Sequence, residues 1–248
     1  MRKAVLLVFL YTIIIMSCNG KKDCLENDIE LWKETPIWHF ARSMEKGDTV
    51  QAERILRVES LDVDTRETKF GQTLLFWAVQ NGYTDVVEFL LLRGANPNAH
   101  DCYGESSLML DCFLNKDTDI TRLLLEFGAD PNDCILESEK QMPQSPLYNA
   151  ASNSLEKVQM LITAGAEVDK SLGIGETALV NATIWNRFDV IWYLLTKGNA
   201  SSKKAFHVYE SGDTLHFIDM VGMNPYEHTP MNEEYVYKIE EYIKAKEK

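Results

Sequence analysis

Positive charge is scarce in this sequence of 248 residues, which carries 25 Lys and Arg against 38 Asp and Glu for a formal net charge of −13. Surfaces that bind nucleic acid or anionic lipid headgroups need clustered Lys and Arg to neutralise phosphate groups. Nucleic acid is therefore excluded as an expected partner, and so are anionic headgroups. The acidic balance favours a basic protein surface as the partner.

Signatures of catalysis are also missing. The chain has no G-x-S-x-G nucleophile turn, no H-E-x-x-H metal motif, no G-x-x-x-x-G-K phosphate loop and no C-x-x-C pair. Its five histidines are scattered without ligand spacing. Residues 173–178 formally fit G-x-G-x-x-A, but that fingerprint binds dinucleotides only after a strand in a βαβ unit. We expect no catalytic residues, no metal site and no cofactor, and we predict that the chain is not an enzyme.

No hydrophobic run near the N-terminus is long enough to span a bilayer, which needs about twenty residues. The apolar run Ala4–Met16 follows two basic residues and has the length of the core of a secretory signal peptide. It leads into Ile15-Met16-Ser17-Cys18, which resembles the lipobox of bacterial lipoproteins. The resemblance implies cleavage before Cys18 and acylation of that residue, for example with palmitate. We therefore assign 1–17 to a signal peptide and 18–34 to a tether.

The position after the cysteine bears on localisation. In the lipoproteins that this segment resembles, Asp at that position favours retention in the inner membrane, and this chain has Asn19. The resemblance thus implies the periplasmic face of the outer membrane, with membrane attachment through the N-terminal lipid only. Two alternatives remain open. One is an ordinary secretory signal with an incidental Cys18, and the other is translation from Met16 or Met44, which would give a cytosolic form.

The middle of the chain repeats itself with a period near 34 residues. GQTLLFWAVQNGYTDVVEFLLLRGANPNA, residues 71–99, resembles the ankyrin repeat almost position for position. Three further copies follow, marked by GADPN at 128–132, GAEVD at 165–169 and KGNAS at 197–201. A degenerate first copy occupies 36–56, and a divergent terminal pair ends the chain. The resemblance implies an all-α ankyrin-repeat solenoid of five to six helix-turn-helix repeats with hairpin connections.

We place the repeats at 35–204 and the divergent capping helices at 205–248. Thr at the start of a first helix should cap its free N–H groups. Glycines after the second helices should adopt a left-handed conformation; they are Gly94, Gly128, Gly165 and Gly198. The chain departs from the pattern where Leu74 and Ala178 replace Pro, Asp111 lies near an expected Ala, and Asp169 replaces Asn. The connection 134–144 is expected to be the most irregular.

The cysteines left after Cys18 are Cys24, Cys102, Cys112 and Cys134, an even number that allows three pairings. Cys102 and Cys134 fall in successive hairpins, which stacked repeats hold roughly 10 Å apart, beyond the limit of about 7 Å between Cα atoms of a disulfide. Cys112 falls on a first helix and is expected to be buried. These positions favour free thiols.

Candidate binding residues are large side chains where the repeat pattern expects solvent. Trp77 and Trp185 lie on first helices, and Tyr103 lies at a hairpin tip beside Asp101 and His100. Aromatic residues are enriched at interface hot spots. Packing between adjacent repeats is the alternative for each aromatic residue. The long hairpin adds Leu136, Glu137 and Glu139 to the same edge. Trp192 should face outward on a second helix, with contact to the N-terminal tether as its alternative.

The chain resembles the ankyrin-repeat lipoproteins that act as immunity proteins against type VI secretion lipase effectors. The resemblance rests on the lipobox, the number of repeats and the degenerate first repeat. This resemblance implies a membrane-tethered toxin inhibitor with a basic-surfaced lipase effector as its protein partner. A tethered inhibitor would be concentrated where such a lipase acts. The alternative is a periplasmic scaffold or chaperone for an envelope enzyme, which the sequence does not separate from the first interpretation.

Overall fold

Paired helices make up most of the computed structural model, which describes residues 28–135, 144–173, 176–203, 206–208, 214–221 and 233–246. A 3-10 turn at Ile29–Trp32 comes before the first pair. The pairs are α1 (Trp38–Glu45) with α2 (Thr49–Val58), α3 (Leu74–Gln80) with α4 (Thr84–Leu91), α5 (Ser107–Leu114) with α6 (Asp119–Glu126), α7 (Pro146–Asn153) with α8 (Leu155–Thr163), and α9 (Ala178–Ile184) with α10 (Phe188–Thr196). The predicted solenoid is confirmed, and the degenerate first repeat forms the helix pair α1–α2.

Hydroxyl side chains start the first helix of the second to fifth pairs. Thr73 Oγ1 accepts the N–H of Phe76 at 3.3 Å, and Ser145 Oγ accepts that of Tyr148 at 3.1 Å. Ser106 and Thr177 cap α5 and α9 in the same way. The replacement of Pro by Leu74 or Ala178 is therefore tolerated, because the side-chain cap that begins the helix is kept.

First helices form an inner layer in which α3, α5, α7 and α9 stack in order. The second helices lie outside them, and α4 packs on α6 while α8 packs on α10. Every residue of α3 except its last is buried. Because one helix pair cannot bury its own apolar face, contact between neighbouring pairs supplies the core.

Asp111, which departs from the repeat pattern, forms a fully buried ion pair. Its Oδ2 lies 2.7 Å from Lys157 Nζ, and both side chains are 0% exposed. Lys157 also donates to the Asp111 carbonyl oxygen at 2.9 Å, while Asn115 and Thr121 donate to the carboxylate. A buried charge is tolerated only when it is paired and hydrogen-bonded, and this network satisfies Asp111 while joining α5, α6 and α8.

Carboxylate and amide side chains link each connection to the next. In each of the four links the side-chain Oδ1 accepts a backbone N–H of the following repeat at 2.7–2.9 Å. The pairs are Asp64 with Asn96, Asn98 with Asp130, Asn132 with Glu167, and Asp169 with Ser201. Asp169 thus keeps the accepting role of the Asn that it replaces.

The left-handed residue after the second helix changes identity at the last repeat. Gly94, with φ of 85°, has the predicted left-handed conformation. Gly198 does not, and Asn199 adopts it instead with φ of 56°. A Cβ on Gly198 would lie 3.0 Å from the Leu194 carbonyl oxygen, so the glycine is needed there for close approach to α10. The prediction for Gly198 is wrong by one residue.

A helix covers the end of the solenoid after a small sheet. Strands β1 (Phe206–Val208) and β2 (Thr214–His216) pair antiparallel, α11 (Phe217–Met220) follows, and α12 (Glu233–Lys246) ends the described chain. The prediction of an all-α chain did not include these two short strands. Helix α12 buries Ile239 and Ile243, as expected of a capping element.

Candidate protein-binding surface

The connection between α4 and α5 presents Tyr103 at its tip. His100 and Ser106 form an antiparallel bridge at its base, and the Asp101 N–H donates to the Glu105 carbonyl at 3.0 Å. The Cys102 N–H donates to the Phe70 carbonyl of the preceding connection at 2.7 Å. Tyr103 itself is 50% exposed. A rigid turn therefore holds an exposed aromatic residue, as the sequence predicted.

Asp101 holds this turn instead of facing a partner. It is only 9% exposed, and its Oδ1 accepts the N–H groups of Tyr103 at 2.8 Å and Glu105 at 2.9 Å. Burial raises the pKa of its carboxyl, and the backbone N–H groups oppose that rise. Contrary to the expected exposed position, Asp101 is largely buried, and its Oδ1 is engaged by two backbone N–H groups of the loop.

His100 links two neighbouring connections. Its Nε2 lies 2.9 Å from Asp133 Oδ2, and its side chain is 43% exposed. Arg66, from the connection before, donates to the carbonyls of Gly71 and His100. Three successive connections are therefore tied side by side around Tyr103, with His100 accessible at their rim.

Trp77 is buried, so its predicted place in an exposed contact surface is wrong. Only 2% of it is exposed. Its ring packs edge-on against Trp32, with 6.4 Å between centroids, and against Tyr83, at 5.4 Å. The 3-10 turn packs on α1, and its Trp32 ring reaches α3 at Trp77. The alternative interpretation, a packing residue, is correct.

Trp185 lies at the opposite edge from Tyr103. It follows the last residue of α9 and is 53% exposed, whereas Tyr103 precedes α5. The two are separated by about the length of one inner helix, roughly 11 Å, and by two repeats. The structure does not bring them into one contact point.

The edge that carries Trp185 has other exposed apolar residues that the sequence reasoning missed. Phe113 and Leu114 end the inner helix α5 and are 41% and 43% exposed, and Tyr83, before α4, is 42% exposed. The signal that could have found them is an apolar residue at the turn from a first to a second helix, where the repeat pattern places polar residues. These residues form a second candidate edge for partner contact.

Several predicted residues lie outside the part of the chain that the structure describes. They are Cys18, Cys24, Leu136, Glu137 and Glu139. The ends of the long connection are described, and Ile135 and Gln144 exchange two backbone hydrogen bonds of 2.8 and 2.9 Å. This pairing brings both ends of that connection to the same edge as Tyr103.

No disulfide joins Cys102, Cys112 and Cys134 among the described residues, which agrees with the positions that the sequence assigns to them. Cys112 is 0% exposed. Burial, followed by the nearby Asp111 charge, raises the pKa of its thiol above the ordinary range. A protonated, inaccessible thiol is unreactive, so Cys112 is a core residue.

Metal-binding clusters and membrane-spanning helices are both absent from the described residues. No group of three or more His, Cys, Asp or Glu side chains there is arranged to hold a metal ion. Among the helices of the same described segments, none combines the length and hydropathy needed to cross a membrane.

The repeats of this chain match those of known ankyrin-repeat proteins. The family model described as "Ankyrin repeats (3 copies)" matches residues 9–101 and 108–205. Potassium channel AKT2/3 of Arabidopsis thaliana is 31% identical over 157 residues, which cover 61% of this chain and 18% of the channel. A putative ankyrin repeat protein of Fowlpox virus is 34% identical over 104 residues, covering 41% and 22%. Another, from Rickettsia felis, is 29% identical over 124 residues, covering 50% and 39%. The chain thus spans less than two fifths of each relative.

Proposed function

The chain belongs to the ankyrin-repeat family, and from that premise we propose that it is a membrane-tethered periplasmic protein that binds and neutralises a type VI secretion phospholipase effector. Ankyrin repeats are in general binding modules for proteins, and this chain works by binding alone, without chemistry of its own. The lipobox-like segment that ends at Cys18 supports the tether. The partner's identity rests on the resemblance to ankyrin-repeat immunity lipoproteins.

Preorganisation of Tyr103 is the observation that carries the binding role. Its loop is closed by the Asp101 carboxylate and tied to both neighbouring connections. An aromatic side chain that is already held in place loses little conformational freedom on binding, which favours affinity. Tyrosine also offers a large apolar ring with a polar tip, the combination that is enriched at hot spots.

Acidic residues along the same edge suit a basic partner. Asp130 and Glu167 are exposed near the links between connections, and Asp133 is half-buried beside His100. In the sequence, Glu137 and Glu139 come between Ile135 and Gln144, the two described ends of the long connection. Such rim charges act mainly on the association rate and on its salt dependence. The effector surface that binds here is accordingly basic, with an apolar pocket for Tyr103.

The test begins with the gene neighbourhood: if an adjacent gene encodes a phospholipase, that enzyme is assayed on phospholipid vesicles and for binding to the purified chain. Tyr103→Ala should weaken binding about 30-fold or more, chiefly through faster dissociation, since a hot spot contributes about 2 kcal/mol or more. Reversal of Glu137 and Glu139 to Lys should slow association instead. Tyr237→Ala, at a tyrosine that is 64% exposed on α12, is the matched control and should bind normally.

Two outcomes would count against the proposal. If the wild-type chain does not reduce the rate of phospholipid hydrolysis by the lipase, the immunity role is wrong and a scaffold or chaperone role is favoured. Normal inhibition by Tyr103→Ala would move the site to the edge of Trp185 and Phe113. The tether is checked separately with Cys18→Ser, which should no longer take up labelled palmitate and should leave the membrane fraction.

A further inference from the structure

A groove runs along the outer face between α2 and α4. It encloses about 750 Å³ and is lined by α2, α4 and the two residues that follow α4. Three apolar side chains stand at its walls with large exposed fractions: Val50 at 80%, Val58 at 77% and Leu92 at 61%. Apolar residues concentrated in one exposed groove mark an interaction site more often than scattered ones do.

The floor of the groove is rigid. Phe89 lies there, 9% exposed, with the Arg93 guanidinium 3.7 Å from its ring centroid. Arg93 Nε donates to Glu53 Oε2 at 2.8 Å, which connects α4 to α2. Glu53 also accepts from Arg57 at 3.3 Å. These contacts fix the spacing of the two helices, so the groove is preformed.

A small polar ligand does not suit this groove. The buried side-chain atoms without a hydrogen-bond partner in the described residues are on Trp32, Gln72, Gln80 and Asn186, and none of these residues lines the groove. Ligand sites normally enclose most of the ligand and aim a few polar groups at it. This groove is open along its length and apolar between charged walls, which suits a helix from a protein.

Apart from the Glu53–Arg93 ion pair that joins them, the two walls carry opposite charges. Arg54 and Arg57 are exposed on the α2 wall, while Asp85 and Glu88 are exposed on the α4 wall. Both helices are second helices of consecutive pairs and run in the same direction. A two-fold axis parallel to them would therefore place the arginine wall of one copy against the carboxylate wall of another. The surface is complementary in charge to itself, as an isologous interface requires.

We propose that this groove is the interface of a homodimer, in which α2 of each copy lies in the groove of the other. Val50 and Val58 are eight residues apart, about 12 Å along the helix, and form the ridge that enters the partner's groove. A two-fold axis parallel to the helices keeps each residue at its own height, so Arg54 lies level with Glu88 of the second copy, while Arg57 and Asp85 add to the opposite charges of the facing walls. The dimer leaves the connections around Tyr103 and the edge of Trp185 accessible. Each dimer would therefore present two copies of the proposed binding surface, and the dimer proposal does not depend on the proposed function.

Two helices of this length form a small interface. Specific interfaces of standard size bury about 800 Å² on each partner, and smaller ones are weak. We therefore expect a dissociation constant on the order of micromolar. Charge reversal on one wall should weaken it at least tenfold, since like charges would then oppose each other.

A charge-swap matrix tests the proposal in full-length chains that carry two different tags and are coexpressed. The first variant is Arg54→Glu with Arg57→Glu, which makes both walls acidic. The second is Asp85→Lys with Glu88→Lys, which makes both walls basic. Wild-type copies should copurify, and neither variant should copurify with itself. The two variants together should recover copurification, because opposite walls again meet.

Arg122→Glu is the matched control, since Arg122 is an exposed arginine on α6, outside the groove, that pairs with Asp119 and Glu126. It should copurify with itself like the wild type. Circular dichroism should confirm that all variants are folded. Equal recovery in every combination, or no recovery with wild-type copies at micromolar concentration, would overturn the proposal. Loss in both variants without recovery in the mixed pair would also overturn it.

Discussion

Within the described residues, the outer layer of the solenoid is covered at its C-terminal end and open at its N-terminal end. At the C-terminal end α12 lies over α10, where Tyr235 stacks on Phe188 with 5.2 Å between ring centroids and Tyr242 packs edge-on against Trp192 at 5.7 Å. At the N-terminal end the groove between α2 and α4 leaves Val50 80% exposed. Apolar residues on the outer face of a second helix can be buried only by a covering element. Of the two described ends of the solenoid, only the C-terminal one has a covering helix.

This comparison also adds a contact to the expectation for Trp192. It was predicted to face outward or to contact the N-terminal tether. It is 41% exposed, and its ring contacts Tyr242 of α12. The divergent C-terminal unit is therefore a structural cover, and the end without such a cover is where we place a second copy of the chain.

The largest expected effect comes from breaking the buried Asp111–Lys157 ion pair, which lies in the repeats between the two ends. Replacing Lys157 with Met leaves the Asp111 carboxylate buried without its cation, which should lower the free energy of unfolding by about 3–5 kcal/mol. Urea denaturation followed by circular dichroism measures this change. A single transition should shift as a whole if both ends unfold together, whereas two transitions would mean that each end is stable by itself.

The double variant Lys157→Met with Asp111→Leu is the control. Removing both charges should recover more than half of the loss, since an apolar pair can replace a buried ion pair. A loss below about 1 kcal/mol in the single variant would show that Asn115 and Thr121 suffice to stabilise the carboxylate.

The next effect sharpens the comparison at the covered end. Ile239 of α12 is 1% exposed, and Ile239→Ala should cost about 2–4 kcal/mol through lost burial and the cavity that remains. Tyr237→Ala on the same helix should stay within about 0.5 kcal/mol, since that side chain is 64% exposed. Equal losses in the two variants, measured by thermal unfolding, would contradict the described placement of α12.

How far the sequence could predict the molecule depends on the range of each interaction. Helix starts were predictable because Thr73 and its equivalents act within three residues of themselves. Stacking followed from the repeat period. Asp111 could be identified only as a departure from the pattern, because its partner Lys157 lies 46 residues away and nothing in the repeat marks the pair.

The candidate site was harder to predict for the same reason. Exposure of Tyr103 followed from its place at a hairpin tip, but burial of Trp77 depends on Trp32, which precedes the repeats and belongs to no recognisable pattern. The role of Asp101 depends on loop geometry, which one sequence does not specify. The groove between α2 and α4 involves the degenerate first repeat, where the family pattern says least about spacing.

A smaller effect concerns the hydroxyl that holds the covering helix. Tyr242 Oη donates to the Leu195 carbonyl at 2.8 Å, and Tyr242→Phe keeps the ring against Trp192 while removing the donor. We expect a loss of about 0.5–1.5 kcal/mol in urea denaturation. A loss as large as that of Ile239→Ala would mean that the hydroxyl, and not apolar burial, holds α12 in place.

The smallest change in stability is expected at the open end. The informative quantity there is how the melting temperature depends on protein concentration. Val50 and Val58 are 80% and 77% exposed, so Val50→Ser with Val58→Ser removes little buried area within one copy and should change its stability by less than about 0.5 kcal/mol at low concentration. Association stabilises the folded state by mass action. The wild-type melting temperature should therefore rise with protein concentration above the micromolar range, and that of the double variant should stay constant. Glu53, Phe89 and Arg93 are unchanged in the variant, so the groove keeps its floor. If the two proteins show the same concentration dependence, the valines do not form the ridge of a dimer, and in the described part of the chain the open end differs from the covered one only in lacking a covering helix.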